Sequence, residues 1–206
     1  MESKVANTEQ TILLAAEKLF IEKGYTGTRT TEIAEAAGVN HAMLHYYFRT
    51  KENLFDRIFN RKTAQMMDSF LQVFDNDLPF FEQLKLGIEK HFDFIVQDPA
   101  LPFFVLRELI QNEERKNVVR GKFVPIALQI MKRLAVSMRE EMAKGTIRPV
   151  HPQDLLLNIV SLNVFSFVSL QLFYDVKDQS QSAVFKQFLE QRKNNNIETI
   201  INSIKI

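Results

Sequence analysis

Thr30-Thr-Glu-Ile-Ala-Glu-Ala-Ala-Gly-Val-Asn-His-Ala-Met-Leu-His-Tyr-Tyr-Phe-Arg-Thr-Lys-Glu-Asn-Leu54 is the stretch that decides the fold. Ile33, Ala34 and Ala37 lie at i, i+1 and i+4, the apolar stripe of a short helix. Gly38 follows where a turn needs a residue free to take positive φ. Asn40 is placed to cap a second helix by accepting from its free backbone N–H groups. Leu44, Tyr47 and Phe48 give that helix a buried side, and His41, Ala42, His45 and Tyr46 form its outer side. Thr50 then caps a third helix whose first turn holds Lys51 and Glu52. A helix, a tight glycine turn and a helix with a polar and aromatic outer face make the pattern of a helix-turn-helix DNA reader.

The composition around this stretch is that of an ordinary globular chain. With 206 residues, 46% hydrophobic and 25% charged, it can bury a core in one or two units. The absence of Cys removes disulfides, thiolate metal sites and cysteine nucleophiles, and fits a reducing, cytoplasmic setting. Lys and Arg number 26 against 25 Asp and Glu, so bulk charge gives nucleic-acid binding no support. Local charge does: residues 36–51 hold no carboxylate but carry His41, His45, Arg49 and Lys51. Met1–Gln10 is polar and lacks the apolar core of a signal peptide.

Elsewhere the chain reads as helix almost throughout, about nine in all, with no alternation long enough for a strand. Thr8 is expected to cap a first helix that Gly24 ends. Thr50 opens a longer helix bearing Leu54, Phe55, Ile58, Phe59, Met66, Phe70 and Phe74, fading at Asp75-Asn76-Asp77. Pro79 marks a first helical position for a helix to about Gln97, and Phe103–Asn112 follows. Glu113–Lys116 reads as a charged surface turn, and Phe123–Lys144 as a helix with Pro125 near its start and Gly145 as its stop. Leu155–Tyr174 runs twenty positions without a charge, the length of a membrane span. Its Asn158, Asn163 and Gln171 and the lack of a flanking basic cluster favour a buried or interfacial helix instead. After a polar turn at Asp175–Ser182, Ala183–Ile204 is a last amphipathic helix. The boundary is set at 54/55, near which the fourth helix belongs to both domains: 1–54 for the helix-turn-helix and 55–206 for the rest.

The segment from Thr8 to Phe59 resembles the DNA-binding domain of the TetR family of bacterial transcriptional regulators. The resemblance rests on Lys23-Gly24-Tyr25, Thr30-Thr31-x-Ile33-Ala34, Ala37-Gly38-Val39, Leu44-x-Tyr46-Tyr47-Phe48 and Lys51-Glu52-x-Leu54. It implies an all-α fold with an N-terminal three-helix DNA-binding domain and a C-terminal helical domain for ligand binding and dimerisation. It further implies a homodimer on a palindromic DNA operator, released when a small-molecule effector binds. By the same resemblance Thr30 caps the second helix and contacts a phosphate, with Arg29 beside it and Thr31 near a base. Asn40 stands where Ser is common. His41, Ala42 and Met43 open the recognition helix in place of the usual Gly and Thr, so base reading leans on His41 and apolar contact with thymine methyls. His45 replaces a backbone-touching Tyr, while Tyr46, Tyr47 and Lys51 are placed to bind phosphates.

Residues 55–206 are less explicit. The 18 Phe of the chain and its Met residues favour an apolar effector pocket between helices, with His91, Phe92, Phe103, Phe104, Met131, Met138, Asn158 and Phe165 as candidate lining. His91, Asn158 and Asn163 each lie on an apolar helix and need a partner if buried, whether protein or ligand. The last two helices, about 154–174 and 183–204, are expected to form the dimer interface through residues such as Val184, Phe185, Phe188, Leu189, Ile197, Ile200, Ile201 and Ile204. No cofactor and no metal site is expected: His41 and His45 stand at i, i+4 without a third ligand nearby. Glu-x-x-His pairs, His-Glu-x-x-His, Gly-x-Ser-x-Gly and phosphate-loop glycines are absent, which argues against a helical enzyme. A helical interaction module or a membrane-associated one is the other alternative.

Overall fold

The structure is a computed structural model that describes residues 2–74, 78–111, 113–173 and 183–206. Among these residues it has nine α-helices and no strand. They are α1 (Glu2–Gly27), α2 (Thr30–Ala36), α3 (His41–Phe48), α4 (Lys51–Phe74), α5 (Phe80–Gln97), α6 (Leu101–Gln111), α7 (Glu113–Lys144), α8 (Pro152–Phe173) and α9 (Ala183–Ile204). An isolated bridge pairs Ile147 with Lys205.

Several helix ends differ from the sequence expectation. α1 starts at Glu2, so Thr8 lies inside a helix and does not cap one. Gly24 does break α1, at φ 74°. Arg29, not Thr30, is the extended residue before α2, and Thr30 is its first helical residue. Pro79 is likewise one position outside α5, where its carbonyl accepts from the N–H groups of Glu82 and Gln83 at 3.0 Å. The charged run Glu113–Lys116 is the first turn of α7: Glu113 and Glu114 lie at the positive end of the helix dipole. The expected breaks at Asp75-Asn76-Asp77, at Asn112 and over Asp175–Ser182 fall outside the described residues.

The chain divides into two compact units that do not follow the 54/55 boundary. One comprises residues 1–65 and 103–122, the other residues 66–102 and 123–206. The division falls within α4, as a helix common to both parts requires, at the start of α6, and again within α7 close to Pro125. In the first unit Ile12, Ala16 and Phe20 of α1, Ile33 of α2, Leu44 and Phe48 of α3, and Leu54 and Phe55 of α4 are buried. Phe55 is the hub: its ring meets Phe20 and Tyr25 edge-on at 5.3 Å and lies 5.4 Å from Phe59 and Phe104.

The second unit has two apolar clusters. Leu84 and Ile88 of α5, Leu134 and Met138 of α7, Leu155 and Ile159 of α8, and Ile197, Ile200 and Ile204 of α9 form one. Phe92, Ile95, Phe167, Leu170, Phe185 and Leu189 form the other. Phe185, Leu189, Ile197, Ile200 and Ile204 are therefore buried within their own chain, and the interface contribution expected of them from sequence goes to this core instead. Their burial leaves α9 a largely polar exposed face. On α8 the pattern is reversed: only 33% of the membrane-length window Pro152–Leu170 is buried, and Leu157, Val160 and Phe165 are exposed.

Candidate nucleic-acid interface

The turn between α2 and α3 is built by glycine and asparagine. Val39 N–H donates to the Ala34 carbonyl and Gly38 N–H to that of Glu35, both at 3.0 Å, with Gly38 at φ 65°. These two bonds satisfy the last carbonyls of α2 and require a left-handed residue at Gly38. Asn40 then caps α3, its Oδ1 accepting from Met43 N–H at 2.8 Å. Thr50 caps α4 in the same way, accepting from Asn53 N–H at 3.1 Å. Leu44 and Phe48 are buried, so the opposite side of α3 is turned outward. His41, Ala42, Met43, His45 and Tyr46 are exposed there, and Tyr46 is 80% exposed. Tyr47 is half-buried, with its ring 5.4 Å from that of Tyr46.

The residues leading into α2 have several roles. Arg29 and Thr31 are exposed and Thr30 is half-buried. The Thr30 hydroxyl is 3.1 Å from His41 Nε2, a bridge between the first residues of α2 and α3. Glu32 closes the start of α2, accepting from Arg29 N–H at 3.1 Å and from Lys23 Nζ at 2.8 Å. The Lys23 bond and then the Arg29 N–H hold its carboxyl below the usual range. Lys51 Nζ donates to the carbonyls of Tyr25 and Thr28 at 3.0 and 3.1 Å and stands 4.2 Å over the Tyr25 ring. Two of its three ammonium protons thus hold the Gly24–Thr28 segment, which leaves one for an outside anion.

A charged clasp on that same segment was not foreseen from sequence. Glu108 of α6, fully buried, accepts from Tyr25 N–H at 2.9 Å and from Arg115 Nε at 2.8 Å. The Arg115 guanidinium lies 3.8 Å over the Tyr25 ring and 4.2 Å over the Phe55 ring. Arg107 donates to the carbonyls of Ile21 and Glu22 at 3.3 and 3.0 Å. Burial, then the Glu52 carboxylate to which its hydroxyl donates, pushes the Tyr25 phenol well up. The signal in the sequence was the Arg107-Glu108 pair inside an otherwise apolar helix.

The candidate effector residues are not brought together. Phe103 and Phe104 belong to the first unit, and Phe104 packs on Phe55 and Phe59. Phe165 and Asn158 are exposed, and Met138 and Phe92 are core. Phe92 packs on Phe167 at 5.0 Å. Met131 lines an open surface groove with Leu128, His151 and Pro152. His91 and Asn163 are buried and partner each other: Asn163 Nδ2 donates to the Ile88 carbonyl and to His91 Nδ1, both at 3.1 Å. Asn196 Nδ2 donates in turn to Asn163 Oδ1 at 2.9 Å. Because an amide nitrogen only donates, His91 Nδ1 is unprotonated, and burial lowers the His91 pKa to about 4. An apolar cavity of about 40 Å³ does exist in this unit, lined by Val73, Phe80, Gln83, Leu84, Gly87, Ile130, Leu134, Leu156 and Ile159. Among the described residues, no three His, Cys, Asp or Glu side chains are grouped to hold a metal ion.

Residues 12–58 match the family model described as bacterial regulatory proteins, tetR family. The fatty acid metabolism regulator protein of Bacillus subtilis is 30% identical over 101 residues, covering 49% of this chain and 52% of that one. That match spans about half the length of the Bacillus protein. The transcriptional regulator QacR of Staphylococcus aureus is 25% identical over 182 residues, 80% of this chain and 97% of QacR. The crystal structure of FadR from Bacillus subtilis in complex with stearoyl-CoA superposes with a TM-score of 0.66 at 21% identity, covering 93% of this chain and 97% of that one.

Proposed function

We propose that the chain, whose residues 12–58 match the tetR family model, is a TetR-family, ligand-responsive repressor acting as a homodimer on a palindromic operator. The observation that carries this reading is the α3 helix: Leu44 and Phe48 anchor one side, Asn40 caps its start, and the other side presents His41, Ala42, Met43, His45 and Tyr46 outward. A helix so held is suited to a major groove, with base edges read near its N-terminus. Arg29, Thr30 and the phenols of Tyr46 and Tyr47 are the candidate phosphate contacts around it, Thr31 lies near a base, and the remaining proton of Lys51 adds one more phosphate contact. The assignment is to regulation and not to catalysis, and to the cytoplasm where DNA is met.

Exposed Leu157, Val160 and Phe165 on α8 support the dimer, with α9 adding Val184 and its polar face. An interface of this kind places two recognition helices about 34–36 Å apart, one turn of DNA. The apolar cavity among α5, α7 and α8 supports an apolar effector, and a stearoyl-CoA complex in a neighbour of the same fold points to a long acyl chain. Ligand sites are commonly about 300–1,000 Å³, so a cavity of about 40 Å³ requires these helices to separate on binding. That movement is the proposed route to operator release.

The test is a gel shift against DNA upstream of the protein's own gene, repeated over a salt series and with stearoyl-CoA. Salt-sensitive, sequence-dependent binding that the acyl compound releases is the expected result. Binding of equal strength to all sequences contradicts the regulator, and release by coenzyme A without its acyl chain as readily as by stearoyl-CoA contradicts the apolar effector.

A further inference from the structure

We propose that Thr30 is a positioning residue that fixes the tautomer of His41, and through it the base that His41 reads. This rests on the DNA-binding reading above. Thr30 and His41 are the first residues of α2 and α3, and the hydroxyl oxygen and Nε2 are 3.1 Å apart across the Gly38 turn. The neighbouring residues sharpen the geometry. Asn40 fixes the start of α3 through Met43 N–H, and Glu32 fixes the start of α2 through Arg29 N–H. Both ends of the bridge are thus set by backbone caps.

A hydroxyl has one proton to donate and lone pairs with which to accept. A phosphate oxygen beside Thr30 only accepts, so on DNA the hydroxyl proton goes to the phosphate. The oxygen then accepts from His41, which places the imidazole proton on Nε2 and leaves Nδ1 as a lone pair. Nδ1 is the remaining polar atom of the ring, and as an acceptor it selects an amino group: N6 of adenine or N4 of cytosine in the major groove. Guanine and thymine offer acceptors at the corresponding places and are rejected. A backbone contact that carries no sequence information is in this way converted into a base preference. Without the hydroxyl the ring is free to take either tautomer, and the preference relaxes.

Selection from a random-sequence duplex library, run with the full-length protein, tests this. The proteins compared are the wild type, Thr30→Val, Thr30→Ser and His41→Ala, with salt titrations on the selected site. His41→Ala identifies the pair of symmetry-related positions read by the ring. There the wild type should lose roughly fivefold or more of its affinity when the adenine or cytosine of the selected pair is replaced by purine or 2-pyrimidinone, which lack the amino group, the low end for one good base contact. Thr30→Val should flatten the preference at those same positions, and Thr30→Ser, which keeps the hydroxyl, should restore it. A wild-type affinity that this replacement leaves unchanged overturns the proposal. So does a Thr30→Val protein that binds all sequences more weakly to the same degree, with an unchanged salt slope and an unchanged preference. If Thr30→Val does not fold, Thr30→Ser retaining the wild-type profile while Thr30→Ala loses it decides the matter. A wild type that selects no sequence fails at the regulator reading itself, a separate and recognisable outcome.

Discussion

The two units bury their polar groups in opposite ways. The unit that carries the helix-turn-helix holds a charged pair in its interior, Glu108 with Arg115, fastened to the backbone of Tyr25 and sandwiched against Tyr25 and Phe55. The other unit holds uncharged groups, Asn163, Asn196, Ser166 and a neutral His91, linked amide to amide across α5, α8 and α9. A buried charge tolerates no loss of its partner, whereas a neutral network can be rearranged at the cost of single hydrogen bonds. The comparison teaches where buried charge is used: the segment that leads into the α2–α3 turn is tied by an ion pair buried at both ends. In the unit with the apolar cavity the ion pair between α5 and α9, Lys193 with Asp93, has its carboxylate in solvent.

The largest expected effect follows from the ion pair. Glu108→Ala leaves the Arg115 guanidinium buried without its carboxylate and should cost about 3–5 kcal/mol in urea unfolding. Adding Arg115→Met should recover most of the loss; a double variant as unstable as the single one would break the contrast between the units.

Next in size is a pH effect confined to the neutral network. The His91 pKa is lowered to about 4 from an ordinary value near 6.5, so the unfolded chain binds a proton between those pH values that the folded chain does not. Stability from this group is full above pH 6.5 and falls as pH drops towards 4, by on the order of 3 kcal/mol. Unfolding measured at pH 7, 5.5 and 4.5 should show the decline, and His91→Gln should remove that part of it.

Asn40→Ala tests a local element of the helix-turn-helix unit. Loss of the cap on Met43 N–H should cost about 1 kcal/mol, seen as a lower Tm and weaker DNA binding, with Asn40→Ser near wild type. The smallest effect has the opposite sign. At Gly87 an added Cβ would sit 3.9 Å from Val73 Cγ1, ordinary contact on the cavity wall. Gly87→Ala should raise stability by about 0.5–1 kcal/mol through helix propensity. It should also weaken the thermal shift given by stearoyl-CoA, and an unchanged ligand response would separate the cavity from the effector site.

The reading helices were legible in sequence because their signals are local. Gly38, Asn40 and Thr50 each act on backbone groups within a few residues, and all three do so in the structure. The unit boundary was not legible, because residues 103–122 join the helix-turn-helix unit through partners some eighty positions away, as Glu108 does with Tyr25. The surroundings of the candidate effector residues were not legible for a related reason. A Phe is apolar wherever it stands, and only tertiary packing sends Phe104 to Phe55, Phe92 to Phe167 and Phe165 outward. The uncharged run of α8 announced an apolar helix but not that Leu157, Val160 and Phe165 on it stay exposed in the monomer.

The central claim is that the outer face of α3 reads DNA in two symmetry-related copies. A hydroxyl-radical footprint on a library-selected site tests it most directly. The account predicts two equal protected half-sites about 10–10.5 base pairs apart, centre to centre, across a dyad, both lost in a His41→Ala/Tyr46→Ala protein that remains folded. A single asymmetric footprint, or protection that survives the double substitution, would contradict it.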